Sequence, residues 1–316
     1  REKLQDVAKK AGPDMENYTR VLYSMLFELS RSYQSKRNGK LSPLYHEITA
    51  AIENTPKLFP QAPMVACQGV EGAYSQIACE KIFKNPFIMY FKNFEAVFNA
   101  IDQGLCQYGI LPIENSTAGS VKKVYDLMIK HNFSIVRTFR LKVDHNLLAN
   151  PGATLDGIKE VYSHEQAINQ CTELLGSMKG VEVIPVENTA VAAAYVVEAG
   201  NDVAVIASSM CAELYNLDIV EENISNVQNN FTRFICIARD MQVYPNAGKV
   251  SIMFNLPHAP GALNSIISRL ALAGVNLTKL ESRPIPGREF EFRFFFDFEA
   301  DLRDPAVVDL ICELEK

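Results

Sequence analysis

Met64-Val65-Ala66-Cys67, the turn Gly69-Val70-Glu71-Gly72 and the run from Tyr74 to Phe83 form the stretch whose reading decides the fold. Four apolar residues ahead of a glycine turn predict a short buried strand, and the run after the turn predicts a helix. The alternation repeats downstream. Phe94, Val97, Phe98 and Ile101 share the apolar face of a helix, and Tyr108 to Leu111 reads as a buried strand. Val161-Tyr162, Val183 to Pro185 and Val203 to Ala207 read as further strands, with helices at Thr189–Glu198 and Ser208–Tyr215. Strands alternating with helices define an α/β domain, bounded here at residues 64–240. Its glycine turn lacks the G-x-G-x-x-G pattern, so no dinucleotide is expected, and no motif calls for another cofactor.

The chain has 316 residues, 48% of them hydrophobic and 22% charged, enough for two or three domains with real cores. A formal charge of -6 repels nucleic acid and anionic membranes, and an anionic small substrate would need a locally positive pocket. No membrane-length apolar run and no signal peptide is seen, which gives a cytoplasmic expectation. The seven cysteines (67, 79, 106, 171, 211, 236 and 312) include no C-x-x-C pair and read as reduced core residues. The five histidines have no metal-ligand spacing, so no metal is expected.

On the N-terminal side, Arg1–Lys10 reads as the end of a helix, Gly12-Pro13-Asp14 as a break and Met15–Arg37 as an amphipathic helix. The missing Met and the abrupt helical start suggest an upstream piece. Tyr18, Leu22 and Leu26 form an i, i+4 row whose continuation is Ser30 and Gln34, placing two polar groups on a face expected to be buried. Either the helix end faces solvent or these groups meet a ligand. Residues 41–63 read as a connector with a short helix around Tyr45–Glu53.

Beyond a linker at 241–248, residues 249–316 give strand (Lys249–Asn255), turn (Ala259-Pro260-Gly261), helix (Ala262–Ala273), two strands (Asn276–Ser282 and Glu289–Phe298) and helix (Pro305–Glu315). This β-α-β-β-α order is a ferredoxin-like unit short of its last strand.

Three polar clusters fall at strand mouths of the α/β domain. Pro112-Ile113-Glu114-Asn115-Ser116 ends one strand and precedes Ala118-Gly119-Ser120-Val121 and a helix. Polar residues released from a strand end toward a helix start suit a binding site, although they also suit ordinary capping. Ser163-His164-Glu165-Gln166-Ala167 repeats the pattern, with Ser163 as the expected N-cap and the neutral form of His164 favoured by the helix start. Ser75 falls in the first turn of its helix, where a carboxylate or phosphate is favoured. Last, Asn229-Asn230-Phe231-Thr232-Arg233-Phe234 enters an apolar strand, holding a hydroxyl and a guanidinium at its mouth.

In order and spacing, the Glu114-Asn115-Ser116, Ser163-His164 and Asn230 with Thr232-Arg233-Phe234 motifs resemble prephenate dehydratase. The resemblance implies two α/β lobes like those of a type 2 periplasmic binding protein, and conversion of prephenate to phenylpyruvate with loss of water and carbon dioxide. It makes Thr232 the hydroxyl that hydrogen-bonds or protonates the leaving group. A Thr hydroxyl is a weak acid, so Glu114 or His164 is a candidate to relay the proton. Arg233, Ser75, Asn115 and backbone N–H groups are expected to hold carboxylates, with Ser116, Ser163 and Asn230 nearby and Phe234 in the wall, on the same side as Thr232.

Gly261-Ala262-Leu263-Asn264 and Glu281-Ser282-Arg283-Pro284 resemble the effector motifs of an ACT domain, which implies L-phenylalanine bound between paired domains of a dimer or tetramer. The N-terminal helices resemble part of a chorismate mutase, with Arg1, Glu2, Ser30 and Gln34 at the matching positions, as in bifunctional mutase–dehydratases. The basic residues of that family's long first helix have no counterpart here, so no mutase activity is expected of this chain as given; an intact protein that supplied that helix would be bifunctional, mutase and dehydratase. Arogenate dehydratase and a non-catalytic amino-acid sensor are the alternatives.

Overall fold

The computed structural model describes residues 2–35, 42–285, 287, 288 and 291–315, divided into two compact units. The larger unit, Phe59–Met241, carries two sheets. Its first half contains β1 (Met64–Gln68), α4 (Tyr74–Ile82), β2 (Phe87–Phe91), α5 (Phe94–Asp102), β3 (Tyr108–Asn115), β4 (Gly119–Ser120), α6 (Lys122–His131) and β5 (Ser134–Lys142); helices α1–α3 belong to the smaller unit. The chain then crosses to β6 (Asn146–Ala149), β7 (Glu160–His164), α7 (Glu165–Gln170), α8 (Thr172–Ser177), β8 (Glu182–Val186), α9 (Thr189–Glu198), β9 (Val203–Ala207), α10 (Ser209–Tyr215) and β10 (Asp218–Glu221). It returns to the first sheet as β11 (Phe231–Ala238). The result is two lobes joined by two crossings, at residues 143–145 and 222–230.

The first sheet runs β2-β1-β3-β11-β5, with β4 beside β3, and the second runs β10-β6-β9-β7-β8. Each combines three parallel strands with antiparallel partners contributed around a crossing. Strand β9, Val-Ala-Val-Ile-Ala, is buried throughout, because a strand covered on both faces needs a continuous apolar run. In the first lobe Val65, Cys67, Ile110, Phe234 and Cys236 pack against Ala78, Cys79 and Ile82 of α4. All seven cysteines are buried and unbridged. The β1–α4 turn belongs to the first lobe, yet Val70 packs into the core of the second. Gly72 permits this approach: it has φ +88°, and a Cβ there would stand 3.0 Å from Cys211 Sγ.

The expected α/β alternation is present, with differences. The strand expected over Tyr108–Leu111 runs on to Asn115 through Pro112, which is accommodated at a register shift between Arg233 and Phe234 of the neighbouring strand. Strands β2, β5, β6 and β10 were not legible. The N-cap of α7 is His164 rather than Ser163: His164 Nδ1 accepts from the Gln166 amide at 3.1 Å, while Ser163 ends inside β7.

The smaller unit comprises residues 1–58 and 242–316. It has helices α1 (Glu2–Lys10), α2 (Glu16–Ser35) and α3 (Pro43–Asn54), then β12 (Val250–Asn255), α11 (Ala262–Leu272), β13 (Asn276–Pro284), β14 (Phe292–Glu299) and α12 (Pro305–Leu314). The expected β-α-β-β-α order is present, as an antiparallel sheet β12-β14-β13. Helix α3 packs on α12, and Thr55 at its end accepts from the Val243 amide at 2.9 Å. Arg1 lies outside the described residues, and Glu2 opens α1. The buried face expected on α2 is not formed: Tyr18, Leu22 and Leu26 are exposed, as are Ser30 and Gln34, so the two polar groups stay in water.

Candidate active site

Strand alternation sorts the residues of β3 and β11. Thr232 is paired with Asn115 and Arg233 with Glu114. Paired residues share a face and successive residues alternate, so Thr232 and Asn115 face one way and Arg233 and Glu114 the other. The first pair, with Phe234, lines a cavity of about 590 Å³ between the lobes. The second pair does not line it. Arg233 instead carries an ion pair to Glu114, with Nε–Oε2 at 3.4 Å. The carboxylate anchor expected of Arg233 and the proton relay expected of Glu114 are therefore corrected: both side chains lie on the wrong face of the sheet.

Ser163 is also corrected as a substrate contact. It is fully buried and donates to the Ile206 carbonyl of the adjacent strand β9 at 2.8 Å. Ser116 clamps the strand mouth, donating to the Asn229 carbonyl and accepting from the Phe231 amide, each at 2.9 Å. Ser75 does line the cavity, with its hydroxyl given to the Gln68 carbonyl. His164 lines it from the second lobe; with Nδ1 accepting, Nε2 carries the ring hydrogen.

Asn115 is the hub. Its Oδ1 accepts from the backbone amides of Thr117 (3.0 Å) and Ala118 (2.9 Å) and from the Thr117 hydroxyl (2.6 Å). Its Nδ2 donates to Asn230 Oδ1 (2.8 Å) and to Thr232 Oγ1 (2.9 Å). Backbone amides can only donate, so they fix which end of the Asn115 amide is oxygen and force Nδ2 toward Thr232. Thr232 Oγ1 is thereby an acceptor toward Asn115, and its own hydrogen remains to be given elsewhere. Among the described residues no acceptor meets that hydrogen.

Two further residues lining the cavity went unnoticed in the sequence. Gln170, the last residue of α7, accepts from Asn230 Nδ2 at 2.9 Å and donates to Thr117 Oγ1 at 2.8 Å. His145, in the first crossing, is buried and lies 2.9 Å from Gln170 Oε1 through Nε2. Burial lowers the pKa of His145 from its ordinary value, favouring the neutral ring that this bond uses as an N–H donor. Tyr74 closes this side by donating to the Asp144 carbonyl at 2.8 Å; burial pushes its phenol pKa well up. Neither stretch, Asp144-His145-Asn146 nor Asn169-Gln170, is apolar enough for its burial to be read from the sequence.

The expected positive pocket takes an unexpected form. Among the described residues, the lining holds no lysine or arginine and one carboxylate, Glu187. Helix starts line it instead, among them Tyr74 and Ser75 of α4, Val121 before α6, and Asn188 and Thr189 at α9. The caps of α4 and α6, Ala73 and Val121, offer no side-chain acceptor to the first-turn amides. Helix starts of this kind attract carboxylates through unpaired N–H groups and aligned peptide dipoles.

Fold and site together define a two-lobed α/β protein whose interlobe cleft suits a small carboxylate-bearing ligand and presents one oriented hydroxyl donor. Residues 65–242 match the family model described as prephenate dehydratase, and the chain belongs to that family. It is 37% identical over 305 residues to arogenate dehydratase/prephenate dehydratase 2, chloroplastic, of Arabidopsis thaliana, covering 90% of this chain and 78% of the relative. Among solved structures, a prephenate dehydratase from Arthrobacter aurescens in complex with L-Phe superposes with a TM-score of 0.71 at 26% identity, covering 80% of this chain and 85% of that one. A protein described as a novel type of quorum quenching acylase, GqqA, superposes with a TM-score of 0.70 at 30% identity, covering 78% and 92%. The cytoplasmic expectation is overturned by relatives described as chloroplastic.

Proposed function

We propose that this chain converts prephenate to phenylpyruvate, and that Thr232 gives its hydrogen to the departing ring hydroxyl. The bond from the ring to its carboxylate breaks, carbon dioxide leaves, and that electron pair enters the ring as the opposite carbon–oxygen bond breaks. One proton converts the departing hydroxyl to water, and the ring becomes aromatic. The reading rests on the orientation of Thr232, whose oxygen is occupied by the Asn115 amide while its hydrogen is unclaimed among the described residues. Aromatisation supplies the drive, so a strong acid is not needed at that point. His164, with Nε2–H in the same cleft, is the remaining candidate to pass the proton. The starts of α4, α6 and α9 are suited to hold the carboxylates.

Glu187 favours a second reading, in which the substrate is arogenate, bearing an amino group where prephenate has a keto group. A cleft with one carboxylate and no lysine or arginine among its described lining residues suits a substrate carrying an ammonium. An acylase reaction is less well supported. It calls for an activated nucleophile, whereas the Thr232 oxygen meets an amide donor rather than a base. For the smaller unit we propose an ACT-like effector role. Gly261, with φ +85°, begins α11 ahead of Ala262, Leu263 and Asn264, while Glu281, Ser282, Arg283 and Pro284 lie in β13. L-phenylalanine bound there in a homo-oligomer would lower turnover, and substrate would weaken its binding by the same factor. Mutase activity is not part of the proposal. A plastid location accords with the chloroplastic relatives.

The test follows phenylpyruvate formed from prephenate and phenylalanine formed from arogenate, using the purified chain and Thr232→Val. Turnover of either substrate that falls by about 10²–10³-fold in the variant supports the reading. No turnover of either substrate by the folded parent chain overturns it.

A further inference from the structure

Four side chains near Thr232 close a hydrogen-bonded ring. Asn115 Nδ2 donates to Asn230, Asn230 Nδ2 to Gln170, Gln170 Nε2 to the Thr117 hydroxyl, and that hydroxyl back to Asn115 Oδ1. The backbone amides of Thr117 and Ala118 hold Asn115 with its oxygen toward them, which fixes the direction of every other member. Asn230 must then present Oδ1 to Asn115 and Nδ2 to Gln170. Gln170 must answer with Oε1, where the His145 Nε2–H also fits. Thr232 hangs from this ring by the second hydrogen of Asn115 Nδ2.

Three of the four members sit on the first lobe or at its edge: Asn115 ends β3, Thr117 follows it, and Asn230 precedes β11. Gln170 alone belongs to the second lobe. The ring also lies between two neighbouring cavities: Asn115, Gln170 and Thr232 line the one of about 590 Å³, and Thr117, Gln170 and Asn230 line one of about 530 Å³.

We propose that Gln170 is a positioning residue, which fastens the second lobe to the Asn115–Asn230 pair and so keeps the Thr232 hydroxyl facing the cleft as a donor. Without it, Asn230 Nδ2 and the Thr117 hydroxyl each lose a partner, and the Asn230 amide is released on one side. Asn115 then shares its Nδ2 with an unanchored acceptor, so the Nδ2–H that holds the Thr232 oxygen is less firmly placed and the hydroxyl is less well aimed at the cleft. Misorientation of a reacting group by a fraction of a bond length is enough to slow a reaction by one to two orders of magnitude. The loss falls on the chemical step more than on substrate affinity, because Gln170 Oε1 is already filled by two donors.

The inference rests on the role proposed for Thr232 and is tested separately from it. Gln170→Met keeps the length and removes the hydrogen bonds, and is expected to lower kcat by about 10–100-fold with KM within about threefold. Gln170→Glu restores acceptors for Asn230 and His145 but can meet the Thr117 hydroxyl only by drawing its hydrogen from Asn115, and is expected to recover part of the loss. In a Thr232→Val background, Gln170→Met should add little further loss, because the hydroxyl it positions is gone. Full multiplication of the two losses, or wild-type kcat in Gln170→Met, overturns the inference while leaving the reading of Thr232 intact. If Thr232→Val alone has no effect, that reading falls instead. Should Gln170→Met not fold, Gln170→Asn, one methylene too short to span both partners, carries the same expectation.

Discussion

Thr232 and Arg233 are adjacent in the chain and serve opposite faces of one strand. On the cleft face, Thr232 meets the Asn115 amide, and behind it lies a ring of side-chain hydrogen bonds reaching into the second lobe. On the other face, Arg233 lies across from Glu114 of β3 and Arg140 of β5, with the Arg140 guanidinium 4.2 Å from the Phe231 ring centre. The difference shows how little adjacency in a motif says about shared work. A strand alternates its side chains, so a three-residue motif on β11 can supply at most two groups to one site. Here those two are Thr232 and Phe234, and Arg233 braces the strand mouth.

The heaviest damage to the cleft face, short of removing the hydroxyl itself, should come from Asn115→Leu. It leaves the Thr117 and Ala118 amides, the Asn230 amide and the Thr232 oxygen without their common partner. Turnover is expected to fall by about 10²-fold and stability by about 2–3 kcal/mol, read from steady-state kinetics and denaturant midpoints. Arg233→Gln sharpens the contrast from the other side. The ion pair is partly exposed, so its loss should cost no more than about 1 kcal/mol, and turnover and KM should each stay within about threefold of the parent. A KM raised about tenfold or more would return Arg233 to the cleft as a carboxylate anchor.

A smaller effect concerns acid. Burial depresses the pKa of His145 in the folded state, so below its ordinary value of 6.5 the unfolded chain binds this proton and the folded chain resists it. Its share of stability should be fully present above that pH and decline as pH falls through the folded-state value. Thermal unfolding of the parent and of His145→Gln across that range should show a shallower acid dependence in the variant.

Much of this was legible in the sequence. The strand–turn–helix at Met64–Phe83 and its repeats gave the α/β architecture, because apolar runs bounded by glycine turns have few other uses. The clusters at Asn115, His164 and Thr232 converge on one cleft, as strand mouths in such sheets do. Strand β2 was hidden because it is a short aromatic edge strand, half exposed and without alternation. The assignment of Arg233 failed because guanidinium chemistry was weighed ahead of the face on which it stands. Ser163 was taken for a cap because a serine before a helix so often is one, yet its hydroxyl serves the Ile206 carbonyl of the next strand. Gln170 and His145 act through partners 25 to 60 positions away, a relation that only the folded register creates.

The most direct measurement sets Thr232→Ser beside Thr232→Val in a single prephenate and arogenate turnover assay. Serine keeps a hydroxyl that Asn115 can hold, and valine keeps the shape without it. Serine is expected to retain activity within about tenfold of the parent while valine loses about 10²–10³-fold. Equal activity in the two variants, whether high or low, would contradict the role assigned to the Thr232 hydroxyl.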